Sequence, residues 1–301
     1  MPIKVLIVGY GNVGRMALQA LRQAKDMELA GLASGSLSQT DKPPAELEGV
    51  SIKAAPEDFK GEADVAILCV PSRSVPEFAK RCLALGMNTV DSFDIHTDIL
   101  DTKKRLDAAA KAAGRTAVLS AGWDPGSDSV VRALMMAMLP RGLSYTNFGP
   151  GMSMGHTVAV KAIEGVKNAL SMTMPQGDGI HKRMVYVELE PGASLEDVAA
   201  RIKADPYFVH DETHVIEVED VAEVQDVGHG VHLVRQGSSG ATHNQYVEFN
   251  MRINNPALTS QIMISCARAC LRQEPGCYTM IEIPPVDYLP GDRDGWVKKL
   301  V

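Results

Sequence analysis

Ile3-Lys4-Val5-Leu6-Ile7-Val8 runs straight into Gly9-Tyr10-Gly11-Asn12-Val13-Gly14, and how these residues are read decides the fold. The first stretch is a short apolar run of the kind buried on both faces of a parallel sheet. The second fits G-x-G-x-x-G, and from Val13 to Ala24 apolar residues recur at helical spacing. Strand, glycine loop and helix in that order open a βαβ unit. The first glycine permits the tight turn and the second lets the backbone approach a pyrophosphate. The third lets the helix pack closely on the strand, with the phosphates at the helix N-terminus. A glycine triplet alone also serves plain turns. The strand–loop–helix setting makes Gly9, Tyr10, Gly11, Asn12, Val13 and Gly14 a dinucleotide site.

Outward from this loop, strand signals recur at Leu29–Ala33, Val65–Val70, Asn88–Val90 and Ala117–Ser120, with helical stretches at Val75–Leu85 and Asp98–Ala113. Strands alternating with helices imply a parallel sheet with right-handed crossovers. After Trp123-Asp124-Pro125-Gly126 the texture changes. A Met-rich helix over Val130–Leu139 precedes strand-like runs at His181–Glu190, His214–Val218, Gly230–Val234 and Tyr246–Ile253. A helix at Leu258–Arg272 and a strand at Tyr278–Ile283 close the chain. The expected fold class is α/β: a Rossmann-type doubly wound parallel sheet with a second α+β domain built on a mainly antiparallel sheet. The expected domains are residues 1–124 and 125–253.

Composition narrows the function classes. The 301 residues carry a net charge of −7, with 45% hydrophobic and 22% charged side chains. That length suggests two domains, because single cores stop growing at roughly 250–300 residues. A pI near 5.6 without a basic block argues against a nucleic-acid partner. No apolar run approaches the ~20 residues that span a bilayer, and Met1-Pro2-Ile3-Lys4 lacks a signal-peptide layout. Five cysteines form no framework pattern, which reads as reduced thiols and a cytoplasmic protein. His229 and His232 lack Cys or carboxylate neighbours at metal spacing, so no metal is expected. A nucleophile elbow, a G-x-x-x-x-G-K-[ST] loop and a His-Glu-x-x-His helix are all missing from the sequence.

Cofactor choice is read at the end of the second strand. There Ala33-Ser34-Gly35-Ser36 offers neither Asp nor Glu to hold a ribose 2′-OH or repel a 2′-phosphate. Ser34 and Ser36 can donate to that phosphate, so NADP is preferred and NAD is the weaker alternative. Cys69-Val70-Pro71-Ser72 closes a strand where the sheet's crevice meets a cofactor. Asp94 and Asp124 follow the next two strands. Two carboxylates at neighbouring strand ends suit an ammonium group, although each alone also reads as a cap. Arg183 shares the more apolar face of its strand with Val185, Val187 and Leu189, which favours an anionic partner, either a substrate carboxylate or a structural ion pair. Thr173 and His243 are candidate extra donors. This set describes hydride transfer involving a small amino acid.

Together these residues resemble the meso-diaminopimelate dehydrogenase family along essentially the whole chain. The resemblance is carried by GYGNVG at 9–14, VDSFD at 90–94, SAGWDPGSDS at 120–129, FGPGMSMGHT at 148–157, HKR at 181–183, THNQ at 242–245 and INNPALTSQ at 253–261. It implies an NADP-dependent homodimer that oxidatively deaminates the D-centre of meso-diaminopimelate. By motif position, Asp94 and Asp124 hold the amine, and Trp123 shapes the pocket. Thr173, Arg183 and His243 hold a carboxylate, Phe148, Met154 and Gly155 line the wall, and Asn254 also meets substrate. The tail from about residue 254 is expected to pack back on the dinucleotide domain. Members strict in substrate choice carry Arg where this chain has Ser34-Gly35-Ser36. Some have Trp, Gln and Asp in place of Phe148, Met154 and Val158. The more apolar wall matches the branch with relaxed D-amino-acid specificity. The alternatives are another two-domain amino-acid dehydrogenase and a non-catalytic dinucleotide sensor.

Overall fold

The computed structural model describes residues 1–40, 42–225 and 228–301. It divides into two compact units, one of Met1–Ala133 with Pro256–Val301, the other of Leu134–Asn255. In chain order the first unit begins β1 (Ile3–Val8), α1 (Asn12–Gln23), β2 (Met27–Ala33), β3 (Ile52–Lys53), β4 (Val65–Leu68) and α2 (Val75–Ala84). It continues through β5 (Asn88–Asp91), α3 (Ile99–Ala113), β6 (Thr116–Val118) and the start of α4 (Ser127–Met138). The second unit holds β7 (Arg141–Phe148), β8 (Gly151–Met152), α5 (Met154–Lys161), β9 (Val166–Gly177) and β10 (Ile180–Leu189). It then adds α6 (Leu195–Ala204), β11 (Glu212–Glu217), β12 (Gly228–Ser239) and β13 (Thr242–Asn254). α7 (Asn255–Cys270), β14 (Gly276–Tyr278) and α8 (Arg293–Leu300) lead the chain to its end in the first unit.

The first unit is built on a seven-stranded sheet in the order β14-β6-β5-β4-β1-β2-β3, with every pairing parallel. Its central strand shows why an unbroken apolar run was the right signal. Val5 and Ile7 join α1 and α7 residues in one core cluster, while Leu6 and Val8 join α2 and α3 residues in the other. All four are at most 2% exposed. Each such side chain stabilises the unit by ~1.5–3 kcal/mol relative to exposure. The strand order reverses between β1 and β4, the place where ligands of doubly wound sheets bind.

One expectation is corrected at the tail. The sequence predicts a strand over Tyr278–Ile283, but the strand is Gly276–Tyr278 and Met280–Glu282 forms a tight 3₁₀ turn. The carboxylate of Glu282 reaches back to accept from the Thr279 N–H and hydroxyl, each at 2.8 Å, which folds the chain off the sheet.

The second unit holds two sheets. One, β11-β10-β9-β8, is antiparallel except for the parallel β10–β11 pair, and the other, β13-β12-β7, is antiparallel throughout. Val160, Val185, Val187, Val198, Ile202 and Phe208 pack between the first of these sheets and the helices α5 and α6. Ser194 starts α6 by accepting from the Asp197 N–H at 3.5 Å, and Glu196 and Asp197 complement the positive end of the helix.

Candidate functional site

The glycine loop lies at that reversal. The Gly9 N–H bonds to the Ala33 carbonyl at 2.9 Å and the Cys69 N–H to the Val8 carbonyl at 2.7 Å, so the ends of β2 and β4 flank it. Gly9 has φ +89°, and a Cβ there would stand 2.5 Å from the Cys69 carbonyl oxygen. A Cβ at Gly14 would stand 2.4 Å from the Gly9 oxygen. These two glycines are needed by the fold. Gly11 is different, because an added Cβ meets nothing within 4 Å. It is the N-cap of α1, offers no capping side chain, and no acidic residue follows in the first turn. The free amides of a helix N-terminus therefore face open space, which fits a pyrophosphate. Ser260 fixes this start by donating to the Val13 carbonyl at 2.9 Å. Tyr10 donates to Glu46 at 3.3 Å, while the Ser34 and Ser36 hydroxyls lie 3.3 Å apart. Lys53, the basic residue of β3, is committed to Glu62 and the Asp58 carbonyl.

Along the same sheet edge, Ser72 donates to Asp94 Oδ1 at 2.6 Å, joining the loops after β4 and β5. Asp124 follows β6, its side chain 19% exposed and 3.9 Å from Arg132 Nη2. Arg132 itself is held by the fully buried Asp128, through Nε at 3.0 Å and Nη2 at 2.7 Å to one carboxylate oxygen. Burial, with the Asp128 charge adding to it, pushes the Asp124 carboxyl up to about 7, and Arg132 only partly opposes this. Trp123, 6% exposed, accepts from the Asp128 N–H at 3.0 Å and the Ser127 hydroxyl at 3.3 Å through its carbonyl. Sequence reasoning missed Asp128 and Arg132, although their i,i+4 spacing on α4 was a readable signal.

In the second unit, Arg183 is where the alternation placed it, on the buried side of β10. Its Nε donates to Asp211 at 2.6 Å and its Nη1 to Thr173 Oγ1 across the β9–β10 pair. A structural ion pair is thus present. Among the described residues Nη2 makes no hydrogen bond, which leaves one edge of the guanidinium for a further anion. His181 Nε2 accepts from the Phe148 N–H at 2.7 Å, and burial together with the Arg183 charge lowers its pKa. Phe148 ends β7, half-buried, with its ring 5.6 Å from the His181 ring. Met154 opens α5, its side chain lying outside what is described, and Gly155 follows, exposed.

His243 is corrected. It sits at the tip of the β12–β13 hairpin, 3.0 Å from the Ser238 hydroxyl. Thr173 adjoins the opposite end of that hairpin. β9 places it opposite Gly151, and a Cβ on Gly151 would touch the Gly228 carbonyl and His229 Cα. The two ends are about 30 Å apart at the rise of a strand. His229 occupies the position expected of His243. It is 8% exposed, and its Nδ1 lies 2.7 Å from the Gly230 nitrogen and 3.1 Å from the Gly230 oxygen. Burial first, then the charges of Arg183 and His181, hold its pKa down. Asn254 pairs with Gly228 at this same end.

The parallel sheet and its open glycine cradle define a dinucleotide-binding oxidoreductase of the Rossmann type. Residues 3–119 match the oxidoreductase family with an NAD-binding Rossmann fold, and residues 122–182 match the diaminopimelic acid dehydrogenase C-terminal domain. The chain is 57% identical over 299 residues to the meso-diaminopimelate D-dehydrogenase of Bacteroides fragilis, with 99% of each chain covered. The structure of C. glutamicum DAP dehydrogenase in complex with DAP superposes with a TM-score of 0.88 at 30% identity, covering 99% of both chains. An engineered D-amino acid dehydrogenase bound to NADP+ gives 0.84 at 28% identity, covering 100% of both. The chain belongs to the meso-diaminopimelate D-dehydrogenase family.

Proposed function

We propose that this chain oxidises the D-centre of meso-2,6-diaminopimelate, reversibly and with NADP, to L-2-amino-6-oxopimelate and ammonia. The carrying observation is the pair Asp94 and Asp124 at the ends of adjacent strands, beside a cradle open at Gly11, in a member of this family. The first unit would bind the dinucleotide. Gly9 to Gly14 would hold the pyrophosphate, Ser34 and Ser36 the 2′-phosphate, and Cys69 to Ser72 the nicotinamide side. Bound there, the dinucleotide supplies the hydride acceptor.

Asp94, set by Ser72, and Asp124 would hold the substrate ammonium. With its carboxyl near 7, Asp124 is able to take a proton from that group at neutral pH, freeing the lone pair that forms the C=N bond. Water then adds to the imine carbon, and ammonia leaves as the keto group forms. Trp123 excludes bulk water. Arg183, Thr173 and His229 would take a carboxylate, Arg183 with its open guanidinium edge. Phe148, Met154 and Gly155 would form the wall, with Asn254 at its rim. An apolar wall with exposed Val158 also favours slower reductive amination of other 2-keto acids to D-amino acids. A cytoplasmic homodimer completes the reading.

Incubation with meso-diaminopimelate and NADP+ tests it. NADPH and ammonia are expected in equal amounts, faster than with NAD+. NADP binding without either product would overturn it in favour of a sensor. Light scattering should give twice the 32.4 kDa of one chain.

A further inference from the structure

Asp91 ends β5, is completely buried, and has no place in the chemistry above. Its Oδ1 accepts from the Phe93 N–H at 3.0 Å and from the Ser120 N–H at 3.1 Å. Its main-chain oxygen accepts from the Ala121 N–H at 2.6 Å. Phe93 immediately precedes Asp94, and Ser120 and Ala121 lead into Trp123 and Asp124. One residue thus fastens both loops that carry the paired carboxylates. We propose that Asp91 is a positioning residue whose Oδ1 sets the separation of Asp94 and Asp124. The proposal rests on the roles given to those two aspartates above.

The local geometry supports this. Ser120 has φ +60°, a left-handed conformation a non-glycine residue holds only when its surroundings over-determine it. The bond from its N–H to Asp91 is such a restraint. Phe93 is 2% exposed, so the other loop is clamped on both sides, by its ring in the core and by its N–H on Asp91. Both links run through Oδ1, while Oδ2 is buried with no hydrogen-bond partner among the described residues. An amide that keeps Oδ1 therefore keeps both links, and a methyl group keeps neither.

That contrast is the test, run on the full-length enzyme as Asp91→Asn and Asp91→Ala. The readouts are kcat and KM for meso-diaminopimelate, the NADPH dissociation constant, and amide hydrogen exchange over residues 92–95 and 119–124. Asp91→Ala should lower kcat about a hundredfold, the scale of a misplacement near 1 Å. Its NADPH affinity should stay within about threefold of wild type, and exchange should quicken in those two segments. Asp91→Asn should restore most of kcat and the slow exchange. Equal losses in both variants, unchanged exchange in Asp91→Ala, or a fall in NADPH affinity matching that in kcat would each overturn the role. If Asp91→Ala does not fold, Asp91→Glu displaces the same oxygen and should give the same pattern. A wild-type enzyme inert on the substrate would defeat the functional reading instead, and hydrogen exchange would still decide the positioning role.

Discussion

Replacing Gly11 by alanine separates the cradle from the fold beneath it. The wild-type φ of −81° and ψ of −159° suit alanine, and the new Cβ meets no atom within 4 Å. At an N-cap, alanine is worse than glycine by up to ~1 kcal/mol. Restricting the unfolded chain returns about 0.4–1 kcal/mol. The net change is within about 1 kcal/mol, or roughly 2–4 °C in Tm for a unit of this size. Binding behaves otherwise, because the methyl group occupies the space where phosphates approach the α1 amides. Loss of one charge-assisted hydrogen bond, ~1.5–3 kcal/mol, weakens NADPH roughly ten- to hundredfold. Thermal unfolding without nucleotide and fluorescence titration with NADPH measure the two effects separately. Wild-type affinity in Gly11→Ala would refute the placement of the pyrophosphate. Gly14→Ala is the control, since its Cβ would press on the Gly9 carbonyl and the loss should appear in Tm.

Asp124→Asn should cut kcat by about 10²–10⁴ with NADPH affinity nearly unchanged, and near-normal turnover would remove Asp124 from the mechanism. In the wild type, kcat/KM for oxidation should fall as pH drops below about 7, where Asp124 gains its proton, and the variant should lack that limb. Burial lifts Asp91 to about 7 from 3.8, so the folded state binds the proton more tightly than the unfolded state. The wild type should therefore lose stability relative to Asp91→Asn as pH rises between those values, with a flat difference above and below, as measured by denaturant midpoints. Arg268 of α7, its side chain 7% exposed, forks onto Asp26 at 2.5 and 2.8 Å. Asp26 is a third exposed, so Arg268→Met should cost about 2 kcal/mol, a drop of roughly 4–8 °C in Tm. Arg268 holds the Asp26 pKa down, so this contribution should be present at neutral pH and fade as pH falls below the ordinary carboxylate range.

The first unit was legible because parallel strands buried on both faces read as apolar runs, and its glycines mark the turn between β1 and α1. Asp94 and Asp124 stood out as costly groups at strand ends. The second unit hid more. β9 buries Ser171 and Thr173, so its alternation is broken, and the two sheets blur into one pattern. α6 escaped notice although Ser194 and Asp197 carry an N-cap signature. The exchange of His243 for His229 turns on hairpin register: neighbouring sequence motifs lie about 30 Å apart once β12 and β13 pair along their length. Asp211 was invisible for a similar reason, since the parallel pairing of β10 with β11 brings it to Arg183 from 28 residues away. Asp91 sits in a quoted motif, yet only coordinates reveal that its oxygen serves two loops.

The most direct measurement is the initial rate of NADPH formation with the meso, LL and DD isomers of diaminopimelate in parallel. Paired carboxylates on the D-centre amine and a separate carboxylate site on Arg183 predict fast turnover of the meso isomer and none of the LL isomer. Oxidation of LL as fast as meso, or silence with all three while NADPH still binds, would contradict that assignment.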